Sequence, residues 1–276
     1  AMYQLLTLTE TAARLRGNEA TLILFHRHPD GDSIGSGFGL RLILEAMGCT
    51  AYCVCEDEIP ERLRFLTEGL QDSILKENLP ADFVPTQIIS VDTASPAQAG
   101  ILYPDYEGRF DLMIDHHAKG EMYADGYIDG HASSAGELVY RLSRELVKMG
   151  RISAIPEGVD RLLYAAISSD TGCFRFANTN AHTFATAAAC VATGANVQPI
   201  NQALFDTITL NKLKVQAWVT EHTVFLSEGK AAYCAMPKTL AAELGVDERD
   251  VGGVAGFVRS IEGVCFAVTL RESNED

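Results

Sequence analysis

Residues 21–32 of the chain read Thr-Leu-Ile-Leu-Phe-His-Arg-His-Pro-Asp-Gly-Asp, a short apolar run that leads directly into a polar segment. The apolar run is uninterrupted, which is typical of a buried parallel strand. Open α/β sheets place their functional sites beyond the carboxyl ends of such strands. We therefore expect the functional chemistry of this chain to begin at His26.

The polar segment after the run carries ligands for a divalent cation. Asp30 and Asp32 offer hard carboxylate oxygens suited to Mg2+ or Mn2+, and His26 adds an imidazole nitrogen. Pro29 fixes one φ angle and Gly31 relaxes the next turn, so we expect a bent loop. The same residues also fit a turn whose Asp side chains cap the following helix, and this segment alone leaves both interpretations open.

Three further polar clusters follow predicted strands or turns. Asp92 follows the apolar run 87–91, Asp115-His116-His117 ends the run that begins at Phe110, and Asp170 lies in a turn after a helical stretch. Four such clusters in one chain are much harder to explain by chance than one. The sequence therefore predicts a metal site assembled from residues that are far apart along the chain.

The composition indicates a globular protein and limits its partners. Of 276 residues, 47% are hydrophobic, enough for one large domain or two moderate ones. The formal net charge of -15 argues against duplex DNA, whose binding requires phosphate neutralisation, but a short anionic substrate is compatible with bound metals. Seven Cys without a C-x-x-C pair, no signal-like segment and no apolar stretch of membrane-spanning length predict a cytoplasmic protein that does not bind membranes.

The periodicity predicts an α/β fold with a parallel sheet in a first domain over residues 1–196. An amphipathic helix over 35–47, followed by a strand over 50–54, completes a βαβ unit with the opening run. Ser134 and Glu137 are spaced as a capping box at the start of another helix.

The pattern changes beyond residue 196. A linker helix is predicted over 197–222, and a smaller α+β domain over 223–276. This second domain is expected to open with a hairpin over 223–236 and to end with a strand over 264–271.

The polar clusters resemble the four motifs of the DHH phosphoesterase family, which is named after the triplet present here as Asp115-His116-His117. The His-x-x-Pro-Asp-x-Asp segment at 26–32, Asp92-Thr93-Ala94 and Ser169-Asp170-Thr171-Gly172 match the other three motifs. The resemblance covers roughly residues 15–260. It implies a DHH domain over 1–196 and a DHH-associated, substrate-binding domain over 223–276.

This resemblance implies two divalent metal ions, Mn2+ with Mg2+ or Co2+ as alternatives. Two ions about 3.5–4 Å apart need a shared carboxylate to offset their repulsion, and together they polarise a phosphoryl group and activate a water. The implied ligands are His26, Asp30 and Asp92 for one ion, and Asp32, Asp92, His116 and Asp170 for the other. Asp92 bridges the ions, and it is assigned to catalysis together with Asp170 and His117.

Further residues receive roles around the metals. His117 is implied to contact the phosphate or the leaving oxygen, with an orienting or core histidine as the alternative. Asp115 is expected to orient an imidazole instead of binding metal. Arg175, flanked by Phe174 and Phe176, could hold a phosphate while an aromatic ring such as that of Phe174 stacks on a base, or both Phe could belong to the core and Arg175 to the surface. His28 is expected to be exposed or to support the ligands.

The predicted second domain matches its family counterpart only in part. Residues 250–259 and the strand that ends at Arg271 resemble the start of the DHH-associated domain. The Gly-Gly-Gly-His segment of that domain, and the Arg that usually precedes it, do not occur, so the domain is expected to be incomplete. Arg259 and Arg271 are its candidates for contacting substrate.

The resemblance implies a phosphoesterase of the nanoRNase/pAp phosphatase type, which hydrolyses short RNA to mononucleotides and pAp to AMP and phosphate. Its expected partners are short single-stranded RNA or a small nucleotide, and a homodimer is compatible with the sequence. Three alternatives remain open: a linear or cyclic dinucleotide phosphodiesterase, a manganese-type inorganic pyrophosphatase, and a non-catalytic nucleotide-sensing module. The pyrophosphatase is disfavoured because its basic Ser-Arg-Lys-Lys-Gln-like run is absent.

Overall fold

The computed structural model describes residues 3–272, and the described chain divides into two compact units that meet between Asp206 and Thr207. All four predicted motifs lie in the first unit. Contacts group residues 197–206 with the first unit, and the sequence-based domain boundaries at residues 196 and 222 stay a prediction.

A parallel sheet of five strands organises the first unit. The strands are β1 (Ala20–Leu24), β2 (Thr50–Val54), β3 (Gln87–Val91), β4 (Leu112–Asp115) and β5 (Gly126–Ile128). Their order across the sheet is β2-β1-β3-β4-β5, which confirms the predicted parallel α/β fold. Since the chain leaves β1 and β3 in opposite directions, the gap between their carboxyl ends is the position where open sheets bind ligands. Only β5, three residues long, went unpredicted.

Alternate residues of these strands belong to two separate apolar clusters. Ile23 and Ile89 pack in one cluster, and Leu22 and Ile88 pack in the other, so the sheet is buried on both faces. The helices of the first unit are α1 (Leu8–Arg14), α2 (Gly31–Ala46), α3 (Pro96–Ala99), α4 (Tyr103–Tyr106), α5 (Ala135–Lys148), α6 (Val159–Asp170), α7 (Ala181–Thr193) and α8 (Val197–Asn201). Shorter turns of 3-10 or π type lie at Glu61–Leu66, Lys76–Asn78, Gly100–Leu102 and Gln202–Asp206.

Helix α2 begins at Gly31, four residues before the predicted helix. Oδ1 of Asp30 accepts hydrogen bonds from the backbone N–H groups of Asp32 and Ser33, both at 3.0 Å, and so caps the helix. Asp32 is therefore helical, and the prediction that it lies on a bent loop is wrong. The predicted amphipathic pattern is wrong as well, because α2 is buried on nearly all sides.

Close contact between α2 and α6 depends on Gly35. A Cβ atom at this position would lie 2.4 Å from the carbonyl oxygen of Leu162 and 2.9 Å from Cβ of Ala166. Gly31 and Gly39 lie one turn away on the same face of α2 and also face α6. The glycines thus hold the first turn of α2 beside the last turn of α6.

The N-terminus of α5 differs from the predicted capping box. Ser134 caps the helix, since its side chain accepts a hydrogen bond from the backbone of Glu137 at 3.1 Å. The Glu137 carboxylate bonds to Ser133 instead of Ser134, accepting from its backbone N–H at 3.0 Å and its hydroxyl at 2.9 Å. One half of the predicted box is therefore present, and the other is displaced by one residue.

The second unit packs helices on a three-stranded sheet. It contains α9 (Leu210–His222), β6 (Val224–Leu226), β7 (Ala231–Met236), α10 (Leu240–Leu244), a 3-10 turn at Glu248–Val251, α11 (Ala255–Arg259) and β8 (Phe266–Arg271). Strand β7 pairs antiparallel with β6, as the hairpin prediction requires, and parallel with β8.

The predicted linker helix over 197–222 is interrupted. Residues 207–209 are not helical, and the Thr209 side chain caps α9 by accepting from the backbone of Lys212 at 3.1 Å. Within residues 3–272, the structure has no helix that is long and apolar enough to span a bilayer.

Candidate metal centre

His26 and Asp30 lie just beyond the carboxyl end of β1. The His26 Nδ1–H group donates to the carbonyl oxygen of Arg27 at 2.7 Å, which leaves Nε2 to face the carboxylates. This Nε2 atom lies 3.3 Å from Oδ2 of Asp92 and 3.8 Å from Oδ1 of Asp30. Asp30 therefore caps α2 and also faces the cluster, so the capping interpretation is compatible with a role as a metal ligand, which stays a prediction.

Asp92 follows β3 and occupies the centre of the cluster. Its φ angle is +52°, in the left-handed region that residues other than glycine rarely adopt. Its carboxylate is buried, and Oδ1 has no hydrogen-bond partner among the described residues. Nε2 of His116 lies 3.4 Å from this oxygen. Backbone strain and an orphaned buried oxygen are typical of a functional carboxylate.

Asp32 is held in place by the start of α5. Its Oδ2 accepts a hydrogen bond from the backbone N–H of Ala135 at 2.7 Å, and its Oδ1 accepts from that of Gly136 at 2.9 Å. A helix N-terminus favours negative charge, so α5 stabilises the buried carboxylate. Nε2 of His116 lies 3.6 Å from Oδ2 of Asp32.

The three residues of the triplet Asp115-His116-His117 differ in their contacts. Oδ1 of Asp115 accepts from the backbone N–H of His116 at 3.0 Å and from Nδ1 of His117 at 2.8 Å. Asp115 thus orients both neighbours and lies outside the ligand groups described below. His117 keeps 39% of its side chain exposed, which leaves its Nε2 open to a substrate.

Asp170 is the last residue of α6, not part of the predicted turn. Its Oδ2 lies 3.8 Å from Nε2 of His116. Asn178 supports it: Nδ2 donates to Oδ2 of Asp170 at 3.2 Å, to its carbonyl oxygen at 3.1 Å and to the carbonyl oxygen of Ser133 at 3.0 Å. Sequence reasoning missed Asn178, because the segment between it and Asp170 is an irregular turn, in which no helix or strand period relates the two side chains.

The cluster carries strong, opposed electrostatic effects. Burial raises the pKa of Asp32, and burial together with the nearby Asp92 carboxylate raises the pKa of Asp170 to about 6. Burial also opposes ionisation of Asp92, but the neighbouring His116 and His26 imidazoles outweigh it and hold the pKa at about 2. The carboxylates in turn outweigh burial at the imidazoles, raising the pKa of His26 to about 11 and that of His116 to about 10. Such a site attracts positive charge.

These side chains fit divalent metal ions. Adjacent ligands at about 2.1 Å from one ion lie about 3 Å apart, and the 3.3–3.8 Å separations between imidazole nitrogens and carboxylate oxygens exceed ordinary hydrogen bonds and approach that spacing. Three overlapping groups have their ligand atoms within 4.8 Å of one another: His26, Asp30 and Asp92; Asp32, His116 and Asp170; and Asp92, His116 and His117. Hard oxygens with a few imidazoles suit Mn2+ or Mg2+.

A family comparison agrees with this geometry. Residues 20–167, more than half of the chain, match the model of the DHH family N-terminal domain. The chain belongs to the DHH family. The predicted membership, and with it a metal-dependent hydrolase of phosphate esters, is confirmed.

Individual relatives are similar to this chain over most of its length. A bifunctional oligoribonuclease and PAP phosphatase, NrnA, from Thermus thermophilus is 29% identical over 92% of this chain and 72% of its own length. A cyclic-di-AMP phosphodiesterase, PdeA, from Listeria monocytogenes is 25% identical over 92% of this chain but 39% of its own length. The crystal structure of an exopolyphosphatase-related protein from Bacteroides fragilis superposes with a TM-score of 0.84 at 22% identity, covering 96% of this chain and 80% of that one.

Two predicted substrate contacts, Phe174 and Arg175, lie in the turn after α6. Phe174 is partly buried, and its ring stacks on that of Phe184 at 5.2 Å between centroids. Arg175 is exposed, with its guanidinium carbon 5.8 Å from the centre of the Phe205 ring. Phe176, the other aromatic residue that flanks Arg175, is 57% exposed. Phe174 therefore packs as a core-type residue, and Phe176 offers the open aromatic surface.

Other candidate residues have local partners. His28 is exposed and pairs with Asp57 at 3.2 Å. In the second unit, Nη1 of Arg259 donates to a backbone carbonyl at 2.9 Å, and Arg271 pairs with Glu248. Substrate contacts by these two arginines stay a prediction.

Proposed function

We propose that this protein is a two-metal phosphoesterase that releases mononucleotides from short single-stranded RNA and removes phosphate from pAp, giving AMP. The proposal rests on one observation above all: two groups of candidate ligands meet at Asp92, whose backbone is strained and whose buried Oδ1 has no hydrogen-bond partner among the described residues. His26 and Asp30 lie on one side of it, and Asp32, His116 and Asp170 lie on the other. Each side would hold one divalent ion, with Mn2+ as the first candidate.

The protein residues prepare the site for a phosphate. When bound, the two ions would polarise the phosphoryl group and make hydroxide available near neutral pH. Backbone amides fix the carboxylates of two proposed ligands, Asp30 and Asp32. His117, oriented by Asp115, would hydrogen-bond a phosphate or leaving oxygen.

Charge and the relatives support a small nucleotide substrate. The net charge of -15 disfavours a long polyanion, whereas a short one can be held by the metals. The oligoribonuclease and PAP phosphatase is matched over 72% of its length and the cyclic-di-AMP phosphodiesterase over 39%, which favours the activity of the former.

Product analysis with Mn2+ tests this proposal. The protein is offered pAp, a dinucleotide, a five-nucleotide RNA, a cyclic dinucleotide and pyrophosphate in parallel. We expect phosphate from pAp and mononucleotides from the RNA. Hydrolysis of the cyclic dinucleotide or of pyrophosphate alone would replace the proposal by the corresponding alternative, and nucleotide binding without any hydrolysis would favour a sensing module.

A further inference from the structure

The turn after α6 has an unusual backbone. Gly172, Cys173 and Phe174 have successive φ angles of +55°, +59° and +62°. Left-handed conformations cost free energy in residues other than glycine, and they seldom occur in succession. Strain of this kind persists where the surrounding structure enforces it, and it concentrates at functional sites.

Thr171 closes the turn. Its carbonyl oxygen accepts hydrogen bonds from the backbone N–H groups of Arg175 at 2.9 Å and Phe176 at 3.0 Å, and its hydroxyl accepts from that of Phe174 at 3.0 Å. Because Thr171 is buried at the end of α6, these bonds hold the turn against the helix that carries Asp170. The backbone of Phe176 is thereby fixed relative to Asp170, the proposed metal ligand.

The strained turn places the Phe176 ring on Gly172. A Cβ atom at Gly172 would lie 2.4–2.6 Å from three atoms at the far end of the ring, so only glycine permits this contact. The rest of the ring is open, with Phe176 57% exposed. Asn178, two residues further on, bonds to Oδ2 of Asp170. An exposed, fixed aromatic ring thus lies on the same short segment as the support of a metal ligand.

We propose that Phe176 is the surface on which a nucleobase of the substrate stacks. The inference rests on the proposed function and adds the contact that separates a nucleotide from a simple phosphate ester. Every base has a π face, so an aromatic platform binds short RNA of any sequence. Arg175, the preceding residue in the chain, is exposed and adds positive charge to this segment, which suits an anionic nucleotide.

Phe184 provides a matched control. It is 56% exposed, almost the same as Phe176, but it lies on α7 and one face of its ring is stacked on Phe174. Loss of its ring removes a similar exposed area without removing the proposed platform.

The test compares Phe176→Ala, Phe176→Trp and Phe184→Ala in the full chain with Mn2+. Two substrates are used: pAp, and ribose 3′,5′-bisphosphate, which has the same phosphates but no base. We expect Phe176→Ala to raise KM for pAp about tenfold with kcat changed less than twofold, because stacking acts on binding. KM for ribose bisphosphate should stay unchanged, and Phe176→Trp and Phe184→Ala should behave as wild type with both substrates.

Several outcomes overturn the inference. An unchanged KM for pAp in Phe176→Ala, an equal rise for both substrates, or an equal effect of Phe184→Ala would each exclude base stacking on Phe176. A raised KM for pAp in Phe176→Trp, which retains a large ring, would also count against it.

The inference and the proposed function can fail separately. If the wild type hydrolyses neither compound, the proposed function fails, and calorimetric titration of AMP with Mn2+ decides the stacking question alone. Weaker AMP binding by Phe176→Ala than by wild type and Phe184→Ala would support the platform. Equal AMP binding by all three proteins, or no binding by the wild type, would refute it.

Discussion

Replacing Asn178 by Ala should lower the affinity for one of the two proposed metal ions and leave the affinity for the other nearly unchanged. Asn178 donates to Oδ2 of Asp170 from outside the proposed ligand set, and Asp170 belongs to only one of the two sides that meet at Asp92. Without this amide the carboxylate can rotate away from His116. The effect on binding should therefore be confined to the ion on the Asp32 side.

The contacts set the size of this effect. A hydrogen bond to a charged group contributes about 1.5–3 kcal/mol, or about 10–100-fold in affinity. The Asn178–Asp170 bond is long, at 3.2 Å, and 29% of the Asp170 side chain is exposed, so water can replace the donor in part. We therefore expect a loss near the lower end, about tenfold in Mn2+ affinity at one site. Supporting residues of metal ligands have effects of this order in general.

Titration calorimetry with Mn2+ measures the two affinities directly, independent of turnover. Asn180→Ala is the matched control, since Asn180 caps α7 by accepting from the backbone of His182 at 2.9 Å and, within the described part of the chain, has no hydrogen bond to Asp170. The control should lose about 1 kcal/mol of stability, as expected for a lost cap, and keep both Mn2+ affinities. Wild-type Mn2+ affinities in Asn178→Ala, or an equal loss in Asn180→Ala, would refute the reasoning.

Three other perturbations have defined outcomes. Gly35→Ala should lower the free energy of unfolding by about 1–3 kcal/mol through overlap with α6, whereas Gly256→Ala, which meets nothing within 4 Å, should leave it unchanged or raise it; urea unfolding separates the two. Asp92→Asn should abolish turnover and prevent binding of the Mn2+ pair, while the circular dichroism spectrum stays native. Retained turnover would exclude a bridging role for Asp92. The pKa of Asp129 is lowered: burial acts to raise it, but the hydrogen bonds from the His131 backbone and from Arg141 outweigh burial. The ionised carboxylate therefore stabilises the fold above the ordinary Asp pKa of about 4, and this stabilisation is lost as the pH falls. Melting temperatures of Asp129→Asn and wild type should accordingly differ at pH 7 and converge in acid, and a constant difference would contradict this assignment.

Much of the fold and of the metal cluster could be predicted because a parallel sheet brings distant residues together at one edge. Asp92 follows β3 and His26 follows β1, and these strands are neighbours in the sheet. Once the apolar runs are recognised as parallel strands, the proximity of their polar extensions follows from the geometry alone.

The parts that escaped prediction depend on contacts without a period in the sequence. Asn178 contacts Asp170 across a turn with a left-handed backbone, and no sequence pattern predicts that backbone conformation. The early start of α2 depends on whether Asp30 caps the helix, and the sequence does not reveal that a side chain predicted to bind metal also does so. Close packing at Gly35 requires knowledge of which helix lies opposite, which only the tertiary structure supplies.

The double use of Asp30 has a consequence for how tightly an ion can be held. Its carboxylate is fixed by two backbone amides when α2 forms, and that of Asp32 is fixed by two amides of α5. Immobilising a free side chain on binding costs about 0.5–1.5 kcal/mol of conformational entropy. Here that loss occurs during folding, so the two carboxylates would meet an incoming ion of the proposed site with their rotamers already selected.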